Sequence, residues 1–204
     1  MPLLVSLLLV MASIEQRLPL VPIGSIAPDF TGTDDRSAMR SLKDFRGTWV
    51  VLEWHEKGCP YVTKHYRTGH MQRLQKAWTS AGVAWLMITS SATGAHSYLT
   101  PEESRAYLTQ LKAAPTAHLL DVDGSIGRRY GVLTALHMVV IDPGGKVVYN
   151  GAIDDKPTTR PEDLAGATSY VQQALTDARA GRLVNPATTE PYGCSIHYAA
   201  TQVK

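Results

Sequence analysis

Cys59 and Cys194 are the two cysteines of the chain, and thiol chemistry is the first that its residue types offer. Cys59 follows a mostly apolar and aromatic run at 49–54 and directly precedes Pro60. Proline is accommodated at the first position of a helix, where it has no N–H to leave unpaired and its φ is already helical, so Cys59 is expected at a helix N-terminus. Unpaired backbone N–H groups and the positive end of the helix macrodipole would then face the sulfur, and both favour thiolate over thiol. Lys57 and Lys64 add positive charge nearby in sequence. A small buried hydrophobe is the ordinary role of an unpaired cysteine; the strand-end position and the following proline argue for a nucleophile instead.

Cys194 sits in Glu190-Pro191-Tyr192-Gly193-Cys194-Ser195-Ile196, where Gly193 permits a tight turn that would swing the sulfur inward. Three roles stay open for it: a resolving thiol that condenses with oxidised Cys59, a permanent staple pinning the tail, or an unrelated surface thiol. A bridge needs Cα atoms roughly 4.4–6.8 Å apart.

Composition bounds what these thiols serve. The chain has 204 residues, 44% hydrophobic and 19% charged, with 16 Gly and 12 Pro. That excludes a disordered tail protein, a coiled coil and a collagen-like repeat, and leaves room for a domain with a core. Lys and Arg number 20 against 18 Asp and Glu, a net charge of +2. With no long basic run, and Arg128-Arg129 too short for a patch, neither nucleic acid nor stable membrane association is expected. Two cysteines are too few for a stapled miniprotein or a four-thiolate zinc site. Residues 3–11 form an apolar run broken only by Ser6, too short to span a bilayer and of signal-peptide length. No Lys or Arg precedes Arg17. Periplasmic or secreted export is expected, with a cytoplasmic location as the alternative.

The elements that must position the cysteines follow from the patterning. Residues 49–54 read as a buried central strand, followed by one helix with Val62, Tyr66, Leu74 and Trp78 on a common face. Residues 83–89 read as a second buried strand. Thr100-Pro101-Glu102-Glu103 is a helix start with a capping box, 117–120 a short strand and 125–130 a short helix. Asp142-Pro143-Gly144-Gly145 turns a hairpin between 137–141 and 146–150. Upstream, Pro28-Asp29-Phe30 with Thr31-Gly32 reads as a short strand and turn, and 42–47 as a turn. Pro161 opens a last helix running through Leu164, Ala167, Val171 and Leu175 to a cap at Gly181. The pattern predicts an α/β fold, a central mixed β-sheet flanked by helices. It divides into a signal-like or flexible segment at 1–22, one domain at 23–181 and a tail at 182–204 carrying Cys194.

Three motifs share a resemblance: Gly58-Cys59-Pro60-Tyr61-Val62-Thr63-Lys64-His65-Tyr66, Asn150-Gly151-Ala152-Ile153-Asp154-Asp155-Lys156-Pro157, and Pro191-Tyr192-Gly193-Cys194-Ser195-Ile196-His197-Tyr198. In this order they resemble the redoxin family of thioredoxin-like proteins, the alkyl hydroperoxide reductase/thiol-specific antioxidant type, over residues 23–198. The resemblance implies a thioredoxin-like fold and a thiol-dependent oxidoreductase whose reactive cysteine is the one before proline. It implies no organic cofactor, a thiol reductant protein such as a thioredoxin-like donor, and a peroxide or a protein disulfide as substrate. His137 should lie near Cys59 by the family's geometry, as a proton relay or as part of a copper site; a hydrogen-bonded histidine at a strand start is the plainer role.

The chain also departs from the family. Val62 stands three after Cys59, so no local disulfide forms; Glu56 stands where a threonine is typical and would repel a thiolate unless it points away. Ala135-Leu136-His137 replaces the usual Thr-Pro-His, whose proline is cis. A cis bond before Leu136 would cost about 2.5–4 kcal/mol, against roughly 0.5–1 before proline, so a trans bond and a reshaped loop are expected. His65 and His70, five apart, are not expected to share a helix face. Asp154 and Asp155 should point apart and read as a solvated turn, while Trp49, Trp54, Trp78 and Trp85 read as core. The expected function is a peroxiredoxin-like antioxidant with Cys59 as nucleophile, Cys194 as partner, and His137 and Lys57 tuning the thiolate. Thiol–disulfide exchange on proteins is the first alternative, and a non-catalytic metal-binding or interaction module the second.

Overall fold

The apolar run before Cys59 becomes the centre of a seven-stranded sheet. A computed structural model describes residues 19–198; the apolar run at 3–11 and the last residues of the tail lie outside them. The strands are β1 (Thr31–Asp34), β2 (Met39–Ser41), β3 (Val50–Trp54), β4 (Ala84–Thr89), β5 (Ala117–Leu120), β6 (His137–Ile141) and β7 (Val147–Ala152). The helices are α1 (Pro60–Arg67), α2 (His70–Ser80), α3 (Pro101–Leu111), α4 (Ser125–Arg129) and α5 (Tyr170–Arg179). Short 3-10 turns lie at Leu42–Phe45 and Pro161–Gly166. The strand order is β2-β1-β5-β4-β3-β6-β7. β3, β4 and β5 run parallel and the other pairs antiparallel, a mixed sheet as the patterning predicts.

Alternation along the strands sends side chains into two apolar layers. Val50, Leu52 and Trp54 of β3 join Val139 and Ile141 of β6 in one layer. Val51 of β3 joins Met138 and Val140 of β6 in the other, together with Cys59 and helices α1, α2 and α5. Glu53 puts a carboxyl group into the second layer. Glu53 is fully buried and accepts from Tyr66 of α1 (2.7 Å), Gln75 of α2 (2.9 Å) and Trp85 of β4 (2.7 Å). A buried carboxylate is tolerated only with such donors, and these tie α1 to the strand that ends beside Cys59.

Several elements differ from the sequence reading, each for a tertiary reason. The single helix after Cys59 breaks at Thr68-Gly69: the Thr68 hydroxyl donates back to the carbonyls of Lys64 and His65, and Gly69 takes φ 71°. The helix opened by Pro161 is likewise two pieces. Main-chain bonds from Tyr170 N–H to Ile153 O and from Asp155 N–H to Thr168 O pull its middle open. Thr31-Gly32, read as a turn, lies inside β1 because Thr33 and Asp34 pair with β5. At Thr100 the expected capping box is present.

Candidate active site

Cys59 occupies the N-cap of α1 with an extended backbone (φ −66°, ψ 124°), and Pro60 takes the first helical position. The approach to it is set by Gly58, whose φ of 82° suits glycine and whose Cβ would come within 2.7 Å of the His96 ring. From the same loop as His96, the Ser97 hydroxyl reaches both Lys57 O and Glu56 Oε1 at 3.2 Å. Glu56 is therefore engaged with Ser97; burial pushes its carboxyl above the usual range, against the opposing pull of that hydrogen bond.

Cys59 and Cys194 form a disulfide with Cα atoms 5.8 Å apart, which decides among the roles left open for Cys194: it is not an unrelated surface thiol. The tail reaches Cys59 by pairing with the loop before β6 like an added strand. Ala135 N–H donates to Cys194 O (2.9 Å), Ile196 N–H to Leu133 O (2.8 Å), and Thr134 bridges Ser195. Cys194 N–H points at the Cys59 sulfur, 3.3 Å away. This pairing needs a glycine before Cys194. Gly193 has φ 148°, and a Cβ there would collide with the Ala135 carbonyl oxygen.

The loop that receives the tail contains the residue where relatives carry cis-proline. The Ala135–Leu136 peptide is trans, as expected, and Leu136 takes φ 58° while its N–H donates to Trp54 O at 2.7 Å. A branched-chain residue in the left-handed region costs of order 1–3 kcal/mol; full burial of the side chain in the Cys59 layer offsets it.

His137 does not join Cys59. It follows Leu136 by one residue and so points to the other face of the sheet, where its ring packs on Trp54 (5.9 Å between centroids) and bonds Asn150 Oδ1 at 2.5 Å. Burial holds its pKa down at about 4. The relay placed on His137 is thus corrected by strand parity. Lys57 is half-buried in the turn before Cys59, and its charge acts on Glu103 at the start of α3.

A polar cluster that sequence reasoning missed holds the tail from below. Lys64, 1% exposed, donates to Lys156 O (2.7 Å) and to the Tyr192 hydroxyl (3.4 Å), and lies 5.3 Å from the Tyr192 ring centroid. The Tyr192 hydroxyl donates in turn to Asp154 Oδ1. Asp154 is 1% exposed, so the solvated turn expected there is wrong: its carboxylate faces inward because Tyr192 covers it. Burial lowers the Lys64 ammonium below its usual range, opposed by Asp154, Asp163 and Asp155. His65 and His70 also meet, Nδ1 to Nδ1 at 2.9 Å, because the break at Gly69 turns α2 back toward α1. Burial, with His70 and Lys64 beside it, drives the pKa of His65 to about 2. A signal existed for the cluster: Lys64, Asp154 and Tyr192 each belong to one of the three separated motifs. Among the described residues, no group of three or more His, Cys, Asp or Glu is placed to hold a metal ion.

A thioredoxin-like sheet with one cysteine at the start of its first α-helix, joined to a second on a docked tail, defines a thiol redox protein. The profile of the AhpC/TSA family matches residues 23–150. The chain belongs to this family of thiol-dependent oxidoreductases. No curated protein matches it. Among solved structures, a hypothetical protein from Sinorhizobium meliloti is 21% identical, with a TM-score of 0.76 over 89% of this chain and 97% of that one. An uncharacterized conserved protein from Geobacillus kaustophilus is 23% identical, with a TM-score of 0.74 over 88% and 94%. AhpC from Mycobacterium tuberculosis is 16% identical, with a TM-score of 0.57 over 81% and 97%. No helix among the described residues is long and apolar enough to cross a membrane.

Proposed function

We propose that the protein reduces peroxides, with Cys59 as nucleophile and Cys194 as resolving thiol. The observation that carries this is the Cys59–Cys194 bond itself, made from the N-cap of α1. In the reduced protein the α1 N–H groups and the helix dipole favour the Cys59 thiolate. That thiolate attacks one oxygen of the O–O bond, taking up the oxygen as a sulfenate while the other oxygen leaves as alcohol or water. Cys194 then displaces the sulfenate oxygen as water and closes the disulfide. A reductant protein with two thiols attacks the disulfide, leaves oxidised, and returns both cysteines to thiols. Lys57 adds positive charge at the turn before Cys59. An exported location suits this chemistry, since oxidising compartments are where such bonds persist.

A second reading, thiol–disulfide exchange on proteins, is favoured by the tail's strand-like pairing with Ala135 and Leu133, because an extended polypeptide already docks beside Cys59. One experiment separates the two. Reduced protein is mixed with one equivalent of hydrogen peroxide, and the sulfurs are mapped by mass spectrometry. Rapid Cys59–Cys194 closure, with a Cys59 sulfenate trapped in Cys194→Ser, is the expected result. Oxidation no faster than that of free cysteine, alongside efficient reduction of protein disulfides, would replace the peroxidase reading with the exchanger.

A further inference from the structure

At the end of the sheet opposite Cys59, a groove of about 400 Å³ opens where α3 ends and β5 begins. Four cationic residues line it: Arg36 from the β1–β2 turn, Lys76 from α2, Arg105 from α3 and Lys112 from the α3 cap. Elsewhere Arg40, Lys43, Lys156, Arg160 and Arg182 each pair with an aspartate. The side chains of Arg36, Lys76 and Lys112 make no ion pair or hydrogen bond among the described residues. Asp35 is the acidic residue in the lining; its Oδ1 accepts the His118 N–H at 3.2 Å, and its single negative charge leaves the four cations in excess.

Two features orient this charge. Arg105 is anchored by one guanidinium N–H on Asp35 O at 2.5 Å, which leaves the rest of its donor fork for a bidentate partner. Lys112 caps α3 with φ 53°, a left-handed conformation in which glycine is the usual resident. An ordinary C-cap glycine would relieve the backbone but remove a charge from the groove. Leu108 and Pro115 add apolar surface to the lining. Clefts of roughly 300–1,000 Å³ with apolar walls and a few placed polar groups are the usual form of small-molecule sites.

We propose that this groove binds a phosphate-bearing organic anion of nucleotide size, its phosphates on Arg105, Lys76, Lys112 and Arg36 and its uncharged part against Leu108 and Pro115. The site is separate from the cysteines and does not depend on the redox reading.

The test is calorimetric titration of the full chain with ADP and with inorganic pyrophosphate at about 0.15 M salt, where exposed charges more than about 8 Å apart are screened. Saturable binding of one ADP per chain is expected. The double substitution Lys76→Glu, Lys112→Glu weakens it by about tenfold or more, as loss of charge-assisted contacts does, while Lys146→Glu, at an exposed cation of the β6–β7 turn on the other side of the sheet from β5, does not. Lys112→Gly adds a second readout, since it raises the thermal midpoint while weakening ADP binding. No saturable binding of ADP or pyrophosphate overturns the proposal, as does equal weakening by Lys146→Glu, which would mean diffuse attraction. A poly-glutamate peptide binding more tightly than ADP overturns it in favour of an acidic peptide.

Discussion

Replacing Gly193 by alanine should make the Cys59–Cys194 disulfide markedly easier to reduce. In the oxidised protein the bond holds Cys194 against the loop before β6, so the new Cβ cannot move away from the Ala135 carbonyl oxygen. Alanine must also adopt φ 148°, a region that is essentially glycine's and costs other residues of order 1–3 kcal/mol. The bond from Ala135 N–H to Cys194 O would be weakened as well, a loss of about 0.5–1.5 kcal/mol. In the reduced protein the tail can swing aside and relieve both. The penalty of about 2–4 kcal/mol therefore falls on the oxidised form, which corresponds to a rise in reduction potential of about 40–90 mV at 30 mV per 1.4 kcal/mol. The assay equilibrates wild type and variant in thiol/disulfide buffers, traps free thiols with an alkylating reagent and reads the fraction oxidised by mass. Potentials equal within about 15 mV would refute the reasoning, since by the same conversion the clash would then be worth well under 1 kcal/mol.

Tyr192→Phe removes the hydroxyl that bonds Asp154 and Lys64; leaving buried polar groups unpaired should lower unfolding free energy by about 1–3 kcal/mol, read as a lower urea midpoint with an unchanged slope. Acid should destabilise the protein through buried histidines. His137, His118 and His65 are held by burial at about 4, about 3 and about 2, below the ordinary 6.5. The unfolded chain therefore binds more protons below pH 6.5, and their contribution is complete above that pH and lost as pH falls toward those values. Urea midpoints at pH 7.5 and 5 should differ, and equal midpoints would contradict the burial of these rings. Glu56→Gln removes a carboxylate three residues from Cys59 and should raise the rate of Cys59 alkylation at pH 6 by about two- to tenfold through easier thiolate formation; an unchanged rate would mean that Glu56 does not act on the sulfur.

Local chemistry was legible in the sequence where neighbours along the chain decide it. Cys59-Pro60 announced a helix start behind a strand, Thr100 to Glu103 a capping box, and Asp142 to Gly145 a hairpin, because each rests on backbone geometry within a few residues. The apolar runs at 49–54 and 83–89 announced the buried strands, and the order of elements the mixed sheet. Where contacts cross between elements, patterning failed. Nothing near Gly69 in sequence says that α2 will turn back to bring His70 onto His65, and Asp154 looked like a solvated turn until Tyr192, 38 residues on, covered it. His137 was lost for a related reason: family geometry placed it near the thiol, and strand parity turns it to the opposite face.

By itself, then, the sequence determined a mixed α/β sheet flanked by helices and one cysteine with a physical reason to ionise, since propensity, patterning and the helix dipole act locally. Only the tertiary structure decided that Cys194 is its partner. That pairing depends on a distance, and the distance is set by the tail's added-strand bonds to the loop before β6, by the absence of a side chain at Gly193 and by the buried Lys64–Tyr192–Asp154 contacts, none of which can be read from positions 135 residues apart.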